Sequence, residues 1–227
     1  KIALFCNVAP DSVIQSIDVN SIYKVPLKMH EQHLDEIVLR KTGITPEGEP
    51  DMGAWLEFIH KMDNATETVN IGLVGKYVEL QDAYKSINEA LFHASTYAGR
   101  KLNLVSIHSE KINNENAGEL LAGFDGVVVA PGFGQRGIDG KFAALRWCRE
   151  NDVPTFGICL GMQCMVIEFA RNVLGLTEAN STEMSPHTAD NVIDLMEEQK
   201  SISNLGGTMR LGAFDCVLRP ESLAAKA

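Results

Sequence analysis

The spacing of apolar residues along the chain changes near residue 65. Before that point apolar residues recur at helical intervals in residues 30–40 and again around Trp55, and the segment between them, 42–53, is rich in Gly, Pro and Glu. The apolar run at residues 2–5 predicts a short strand. We therefore predict that the first 65 residues form a strand, a helical region and a linker, and not a self-contained domain.

After residue 65 short apolar runs alternate with longer helical patterns. Each apolar run predicts a buried strand, and strands that alternate with helices indicate a mostly parallel, doubly wound sheet with helices on both faces. The predicted fold class is therefore α/β, preceded by a helical linker segment. The predicted strands are 69–74, 102–107, 125–130 and 153–158, and the predicted helices are 82–98 and 140–150.

Composition and charge argue against two classes of partner. Of the 227 residues, 20 are Lys or Arg and 30 are Asp or Glu, which gives a formal net charge of −10. Nucleic acid is not an expected partner, because neutralising a phosphate backbone requires a basic surface. No apolar run approaches the roughly 18 residues that a membrane span requires, and the first residues lack a signal peptide. We expect no membrane association and a cytoplasmic location.

The cysteines and the chain ends add two further expectations. The 5 cysteines lack paired spacing and no Cys-x-x-Cys is present, which predicts reduced thiols and no metal site. The sequence begins at Lys1 without methionine, in a strand-like run, and ends in Ala-Ala-Lys-Ala. From these ends we expect a fragment.

Cys159 carries the strongest signal for chemistry. It follows a predicted strand, with Gly157 and Gly161 two residues to either side. This is the pattern of a nucleophile elbow, in which small neighbours permit a strained turn from strand to helix. A helix that begins near Leu160 would favour the thiolate through its dipole and its free N–H groups. We interpret Cys159 as reactive and the remaining cysteines as buried structural thiols: Cys6, Cys148, Cys164 and Cys216.

A glycine-rich loop follows the third predicted strand. Gly132, Gly134 and Gly137 match Gly-x-Gly-x-x-Gly, the pattern of a dinucleotide-binding loop. A dinucleotide-binding loop requires an acidic residue about 20 positions on, at the end of the next strand. Here the next predicted strand ends in Gly-Ile-Cys at 157–159, without an acidic residue. We therefore interpret the loop as a neighbour of the nucleophile that offers backbone N–H groups to an oxyanion.

Several motifs together resemble a known family. Residues 132–137 (Gly-Phe-Gly-Gln-Arg-Gly) and 157–163 (Gly-Ile-Cys-Leu-Gly-Met-Gln) resemble class I glutamine amidotransferases. Further segments narrow the resemblance to the CTP synthase family, and nearly the whole chain is covered. These segments are Lys-Ile-Ala-Leu-Phe-Cys-Asn-Val at 1–8, Val-Gly-Lys-Tyr at 74–77, Asp-Ala-Tyr-Lys-Ser at 82–86, Asn-Ser-Thr-Glu at 180–183 and Leu-Gly-Gly-Thr-Met-Arg-Leu-Gly at 205–212.

The resemblance implies a flavodoxin-like glutaminase domain in an ATP-dependent ligase that aminates UTP to CTP with ammonia from glutamine. It implies that residues 66–227 form the amidotransferase domain, incomplete at its C-terminus, and that residues 1–60 form the end of the amidoligase domain and the linker. By the same resemblance Cys159 is the nucleophile, and the oxyanion site is lined by Gly132 and the Leu160 backbone. The implied glutamine-binding residues are Gly132, Leu160, Gly161, Met162, Gln163 and Glu183, and the implied ATP-binding residues are Ile17, Asp18 and Val19.

The other ligands that the resemblance implies belong to the amidoligase domain, most of which lies outside this sequence. They are Mg²⁺, ATP, UTP and CTP, and we expect no cofactor to be bound by this chain itself. The family's homotetramer also forms through the amidoligase domain.

The chain departs from the family pattern in two places. Many members have glycine where this chain has Pro131, and because proline has no N–H, the oxyanion donor must be Gly132 or a later residue. The family's catalytic base and its orienting acid stand in a His-Pro-Glu segment, which is absent here, so we expect the sequence to stop before the base. The histidines present are His30, His33, His60, His93, His108 and His187.

Three functional hypotheses stay open on these grounds. The first is the glutaminase part of a CTP synthase. The second is a catalytically silent binding or assembly module that keeps the amidotransferase fold, which the missing His-Pro-Glu favours. The third is a DJ-1-like or peptidase relative that shares a Cys or Ser elbow on a flavodoxin-like sheet. The segments 180–183 and 205–212 disfavour the peptidase.

Overall fold

The computed structural model describes residues 1–80, 82–194 and 215–226 of the chain. Between residues 67 and 172 helices and strands alternate, as the apolar pattern predicts. The helices are α1 (Ile2–Phe5), α2 (Val25–Glu31), α3 (Leu34–Thr42), α4 (Gly53–Asn64), α5 (Lys85–Tyr97), α6 (Ala117–Leu121), α7 (Ile138–Glu150), α8 (Leu160–Asn172) and α9 (Leu223–Lys226). The strands are β1 (Glu67–Gly75), β2 (Arg100–His108), β3 (Gly126–Val129), β4 (Thr155–Gly157), β5 (Asn180–Ser181) and β6 (Asn191–Ile193).

The first four strands form one sheet in the order β2-β1-β3-β4. β3 and β4 run parallel, with Val127 opposite Thr155 and Val129 opposite Gly157. The strand order is that of a flavodoxin-like sheet, so the predicted α/β fold with a parallel sheet is confirmed. β5 and β6 form a separate parallel pair.

The chain divides into two compact units. The first comprises residues 1–72, 77–106 and 123–126, and the second comprises residues 73–76, 107–122 and 127–227. Among the described residues, no helix combines the length and the apolar character needed to cross a membrane.

Aromatic side chains form the centre of the first unit. The Tyr23 hydroxyl donates a hydrogen bond to Glu89 and lies 2.7 Å from Nε2 of His93. Burial, followed by the contact with Glu89, raises the pKa of Tyr23 to about 12. Nε1 of Trp55 donates to the Tyr23 carbonyl at 2.9 Å. These contacts attach the helical linker to α5 through the rings of Tyr23, Trp55, Phe58, Phe92, His93 and Tyr97.

Two predictions for the first unit are corrected. Residues 2–5 form the helical turn α1 and not a strand. The turn pairs the N–H of Phe5 with the Lys1 carbonyl at 3.0 Å, whereas a strand without a neighbour would leave such groups unpaired. The helical stretch predicted at 30–40 is interrupted at His33, whose φ of 58° is left-handed, so that α2 and α3 are separate helices.

The second unit contains the apolar core that supports the candidate site. β3 is buried along its whole length, and α7 and α8 contribute fully buried side chains such as Cys148 and Ile167. The prediction of a buried fourth strand is wrong for Phe156, which is 65% exposed. The reason is that β4 lies at the edge of the four-stranded sheet formed by the described strands.

Candidate active site

Cys159 occupies a sharp turn between β4 and α8. Its φ of 53° and ψ of −111° lie in a region that residues other than glycine rarely adopt. The thiol is exposed, and α8 begins at the next residue. The Gln163 N–H donates to the Cys159 carbonyl at 3.0 Å, which starts the helical hydrogen bonding. The turn has the geometry that the sequence predicts for a nucleophile elbow.

Gly157 and Gly161 allow the strand and the helix to approach each other closely. A Cβ added to Gly157 would lie 2.5 Å from the backbone nitrogen of Met162. A Cβ added to Gly161 would overlap the carbonyl oxygen of Val129 and lie 2.8 Å from its carbonyl carbon. Only glycine fits at either position, because the atoms in the way belong to the backbone.

The loop 131–137 contacts the beginning of α8. A Cβ added to Gly132 would lie 3.6 Å from Cδ2 of Leu160 and 2.7 Å from Cε of Lys76. Within the described part of the chain, neither the Gly132 N–H nor the Leu160 N–H donates to a protein acceptor. The Leu160 N–H directly follows the exposed Cys159 in the chain, and Gly132 lies against the Leu160 side chain. Free N–H groups beside a nucleophile are the arrangement that stabilises an oxyanion in acyl transfer.

Two buried lysines hold this loop from the protein interior. Lys76 is 3% exposed and donates to the carbonyls of Phe133 and Gly134, the latter at 3.0 Å. Lys141 is fully buried and donates to the Ala130 carbonyl at 2.5 Å. Burial lowers the pKa of both lysines, that of Lys141 to about 8. Neither lysine is among the site residues predicted from the sequence.

The segment that contains Glu183 lies next to the same loop. Nε2 of Gln135 donates to the Met184 carbonyl at 2.8 Å, and the Glu183 N–H donates to Oγ of Ser181 at 3.1 Å. The exposed Glu183 carboxylate also acts electrostatically on Lys76. The structure therefore brings Glu183 close to the Gly132 loop, while its binding role stays a prediction.

The other predicted glutamine-binding residues form the first turn of α8. Leu160 and Gly161 are buried beneath the turn, Gln163 is partly buried and Met162 is 46% exposed. Met162 and Gln163 are thus the members of this group whose side chains a ligand at Cys159 could reach. Their contact with glutamine stays a prediction.

The remaining cysteines differ in exposure. Cys148 and Cys164 are buried as predicted, and burial raises the pKa of both thiols, that of Cys164 to about 11. Cys6 and Cys216 are exposed, so the prediction that they are buried is wrong. Cys6 follows the short helix α1 and Cys216 lies in a stretch without regular structure, and neither belongs to the inner face of a helix or strand.

No histidine hydrogen-bonds to Cys159 among residues 1–80, 82–194 and 215–226. His93 contacts Tyr23 in the first unit, Nδ1 of His108 accepts from the Glu110 N–H, and His187 is exposed. The described histidines therefore do not supply a base in contact with the thiol.

The residues predicted to bind ATP belong to the first unit. Ile17 and Asp18 are exposed and Val19 is partly buried, in a segment without regular secondary structure. Their role stays a prediction. In the described ranges no group of three or more His, Cys, Asp or Glu side chains could hold a metal ion, so these residues do not fit a Mg²⁺ site.

Known proteins match this chain along its length. A family model for class-I glutamine amidotransferases matches residues 79–225, and a model for the CTP synthase N-terminus matches residues 1–44. A CTP synthase of Porphyromonas gingivalis (strain ATCC 33277) is 60% identical over 227 residues, and one of Bacteroides fragilis (strain ATCC 25285) is 59% identical over 222 residues. These alignments cover 100% and 98% of this chain, which spans 42% of the length of each relative.

A solved structure agrees with these matches. It is described as the Trypanosoma brucei CTPS glutaminase domain with bound acivicin, and it superposes with a TM-score of 0.55 at 38% identity, covering 58% of this chain and 52% of that chain. The resemblance drawn from the sequence motifs is thereby confirmed. The chain belongs to the class-I glutamine amidotransferase family, and the relatives that it matches over its whole length are CTP synthases.

Proposed function

We propose that this chain carries the glutaminase part of a CTP synthase, which uses ATP to aminate UTP to CTP with ammonia released from glutamine. The carrying observation is the exposed Cys159 at a strained elbow, followed by Leu160, whose N–H, like that of Gly132, donates to no acceptor among the described residues. The 60% identity to a relative named CTP synthase supports the choice of UTP as the acceptor of the ammonia.

The proposed reaction begins at the thiol of Cys159. The thiolate attacks the side-chain carbonyl carbon of glutamine, and the oxyanion of the tetrahedral adduct accepts hydrogen bonds from the N–H groups of Gly132 and Leu160. The adduct expels ammonia after protonation of its nitrogen and becomes a cysteinyl thioester. Water then hydrolyses the thioester to glutamate and restores the thiol. The amino end of α8 stabilises the thiolate.

The substrate's amino-acid end has a candidate partner in Glu183. Its exposed carboxylate lies near the Gly132 loop and could pair with the ammonium group of glutamine, while Met162 and Gln163 contact the substrate's aliphatic and amide groups. In this proposal Glu183 recognises the charged end of the substrate and Cys159 carries out the chemical step.

A competing function is that of a silent binding or assembly module. Thiolate formation and departure of ammonia both require a positioned proton acceptor and donor, and among the described residues no histidine hydrogen-bonds to Cys159. Glutamine hydrolysis by the 227-residue chain, compared with the product of the complete reading frame, separates the two functions. Absence of hydrolysis by both proteins would favour the silent module.

The proposed organisation follows the same reading. Residues 1–60 supply the end of an amidoligase domain and the linker, with ATP near Ile17, Asp18 and Val19, and residues 66–227 supply the amidotransferase domain. The family-model ranges 1–44 and 79–225 support this division. We further propose that Mg²⁺, ATP and UTP act in an amidoligase domain, that CTP is the product, and that the enzyme is a cytoplasmic homotetramer.

A nitrogen-transfer assay tests the proposed function. The product of the complete reading frame is incubated with UTP, ATP, Mg²⁺ and glutamine labelled with ¹⁵N in its amide, and CTP is analysed by mass spectrometry. We expect the label in the exocyclic amino group of CTP and equimolar release of glutamate. If UTP is recovered unchanged and CTP is formed neither from glutamine nor from added ammonia, the proposal is overturned.

Replacement of Gly132 by alanine tests the oxyanion assignment. The backbone at Gly132 does not have a positive φ, so alanine is conformationally allowed, but its Cβ would lie 2.7 Å from Cε of Lys76 and must displace either the loop or the lysine. We expect glutamine hydrolysis to slow by about 10- to 1,000-fold, the range for losing an oxyanion donor. CTP formation from added ammonia should be retained, and unchanged hydrolysis would contradict the assignment.

A further inference from the structure

Both ends of the segment 130–134 are tied to buried ammonium groups. Lys141 reaches from α7 to the Ala130 carbonyl at 2.5 Å, and Lys76 reaches from the end of β1 to the carbonyls of Phe133 and Gly134. Burying a lysine is unfavourable unless its ammonium group is paired. The three loop carbonyls provide that pairing, so each lysine and the loop depend on one another.

These contacts hold the peptide planes Ala130–Pro131, Phe133–Gly134 and Gly134–Gln135, which flank the two planes that adjoin Gly132. All peptide bonds in the described chain are trans, and in a trans peptide the N–H points opposite to the preceding C=O. Since the carbonyls of Phe133 and Gly134 point at Lys76, the following N–H groups point away from it. Lys141 fixes the plane between Ala130 and Pro131 in the same way.

Pro131 links the Lys141 contact to the direction of the Gly132 N–H. The proline ring fixes φ near −65°, so once Lys141 holds the Ala130 carbonyl, only the ψ of Pro131 separates that plane from the plane with the Gly132 N–H. Proline removes an N–H from the loop, and it also removes one torsion. A proline beside the oxyanion site is therefore compatible with a well-aimed donor at Gly132.

We propose that Lys141 and Lys76 are positioning residues that clamp the segment 130–134 by its carbonyls and so aim the Gly132 N–H at the oxyanion. The proposal rests on the proposed glutaminase function for its effect on rate. In this proposal both lysines act through the loop and not on the reacting atoms. Preorganisation of this kind matters because a donor that is already oriented needs no rearrangement during the reaction.

The test compares Lys141→Met with Lys111→Met in the product of the complete reading frame. Methionine keeps a long, unbranched side chain without the ammonium group, and Lys111 is an exposed lysine in the turn Ser109–Lys111. We expect Lys141→Met to lower kcat for glutamine hydrolysis by about 10- to 100-fold, with KM for glutamine changed by less than about threefold. Lys111→Met should match the wild type.

Two chemical probes separate positioning from a charge effect on the thiol. Glutamate γ-semialdehyde forms a hemithioacetal whose oxygen needs the oxyanion donors, so its affinity should fall by the same factor as kcat. Alkylation of Cys159 by iodoacetamide needs no oxyanion donor, so its rate and its pH midpoint should not change. Slower alkylation with an upward shift of that midpoint would overturn the proposal, since the lysine would then act on the thiolate.

A structural readout stays valid if the proposed function fails. Crystal structures of the wild type and Lys141→Met are compared for the direction of the Ala130 carbonyl and the Gly132 N–H. We expect both to rotate in the variant, and an unchanged loop would overturn the clamp whatever the activity. If Lys141→Met does not fold, the crystal structure of Lys76→Met is compared with the wild type instead, for the directions of the Phe133 and Gly134 carbonyls. A wild type without glutaminase activity would refute the proposed function. The clamp would then be tested by the crystal structures alone.

Discussion

Replacing Cys159 with alanine should abolish glutamine-dependent CTP formation and leave ammonia-dependent CTP formation intact. The thiolate is the only group at the elbow that can form the covalent intermediate, so we expect glutamine hydrolysis to fall by at least about 10,000-fold, as expected for loss of a nucleophile. Added ammonia bypasses the glutaminase step, and its use should therefore be unaffected. Both rates are measured on the product of the complete reading frame.

Labelling with a glutamine-like electrophile provides the matched measurement. We expect 6-diazo-5-oxo-norleucine to modify Cys159 and to modify nothing at a comparable rate in Cys159→Ala. Cys216→Ala is the control, because Cys216 is also exposed but does not lie at a helix amino end. Label found mainly on Cys148 or Cys164, which are buried, would show that the elbow does not select the nucleophile.

The elbow could be predicted because its determinants are local. Gly157, Cys159 and Gly161 lie within five consecutive positions, and the close approach of strand and helix depends on the absence of side chains at the two glycines. The parallel sheet was predictable for a similar reason, since alternating strands and helices leave few topologies. The burial of each strand was harder to predict from the sequence, because the exposure of Phe156 depends on which strand lies at the edge.

The lysine clamp could not be predicted from composition or from spacing alone. Lys76 and Lys141 are 65 residues apart and meet the loop only in the folded protein. One signal was present: in α7 the buried positions Ile138, Leu145 and Cys148 share a helical stripe with Lys141. A lysine within an apolar stripe indicates a specific buried partner, but the sequence does not say which carbonyl that partner is.

The misassigned N-terminal run has a different cause. Residues 2–5 are apolar enough for a strand, but a strand needs a neighbour to pair with its backbone groups. α1 pairs those groups within itself, as the bond from the Cys6 N–H to the Ile2 carbonyl at 2.8 Å illustrates. The exposure of Leu4 and Phe5, at 88% and 93%, agrees with a turn that packs against little of the described chain.

Replacing Gly161 with alanine should destabilise the protein, although helix propensity predicts the opposite. Alanine is favoured over glycine inside a helix by about 1 kcal/mol, and Gly161 is the second residue of α8. Its added Cβ, however, would overlap the Val129 carbonyl oxygen and lie 2.8 Å from the carbonyl carbon. Val129 is held in β3 by its neighbours, and the Ile158 N–H donates to its carbonyl at 3.0 Å, so neither side can yield without loss of hydrogen bonding.

The steric cost of the added Cβ should therefore exceed the gain in helix propensity. We expect Gly161→Ala to lower the free energy of unfolding by about 3 kcal/mol or more, at the upper end of overpacking effects, and to remove glutaminase activity by moving the Leu160 N–H. Chemical denaturation of wild type and variant measures the first effect. Gly48→Ala is the matched control, because a Cβ there would meet nothing within 4 Å and Gly48 has no positive φ. A Gly161→Ala protein as stable as the control would mean that β3 and α8 can separate at the elbow, and the strained turn at Cys159 would then not depend on their close packing.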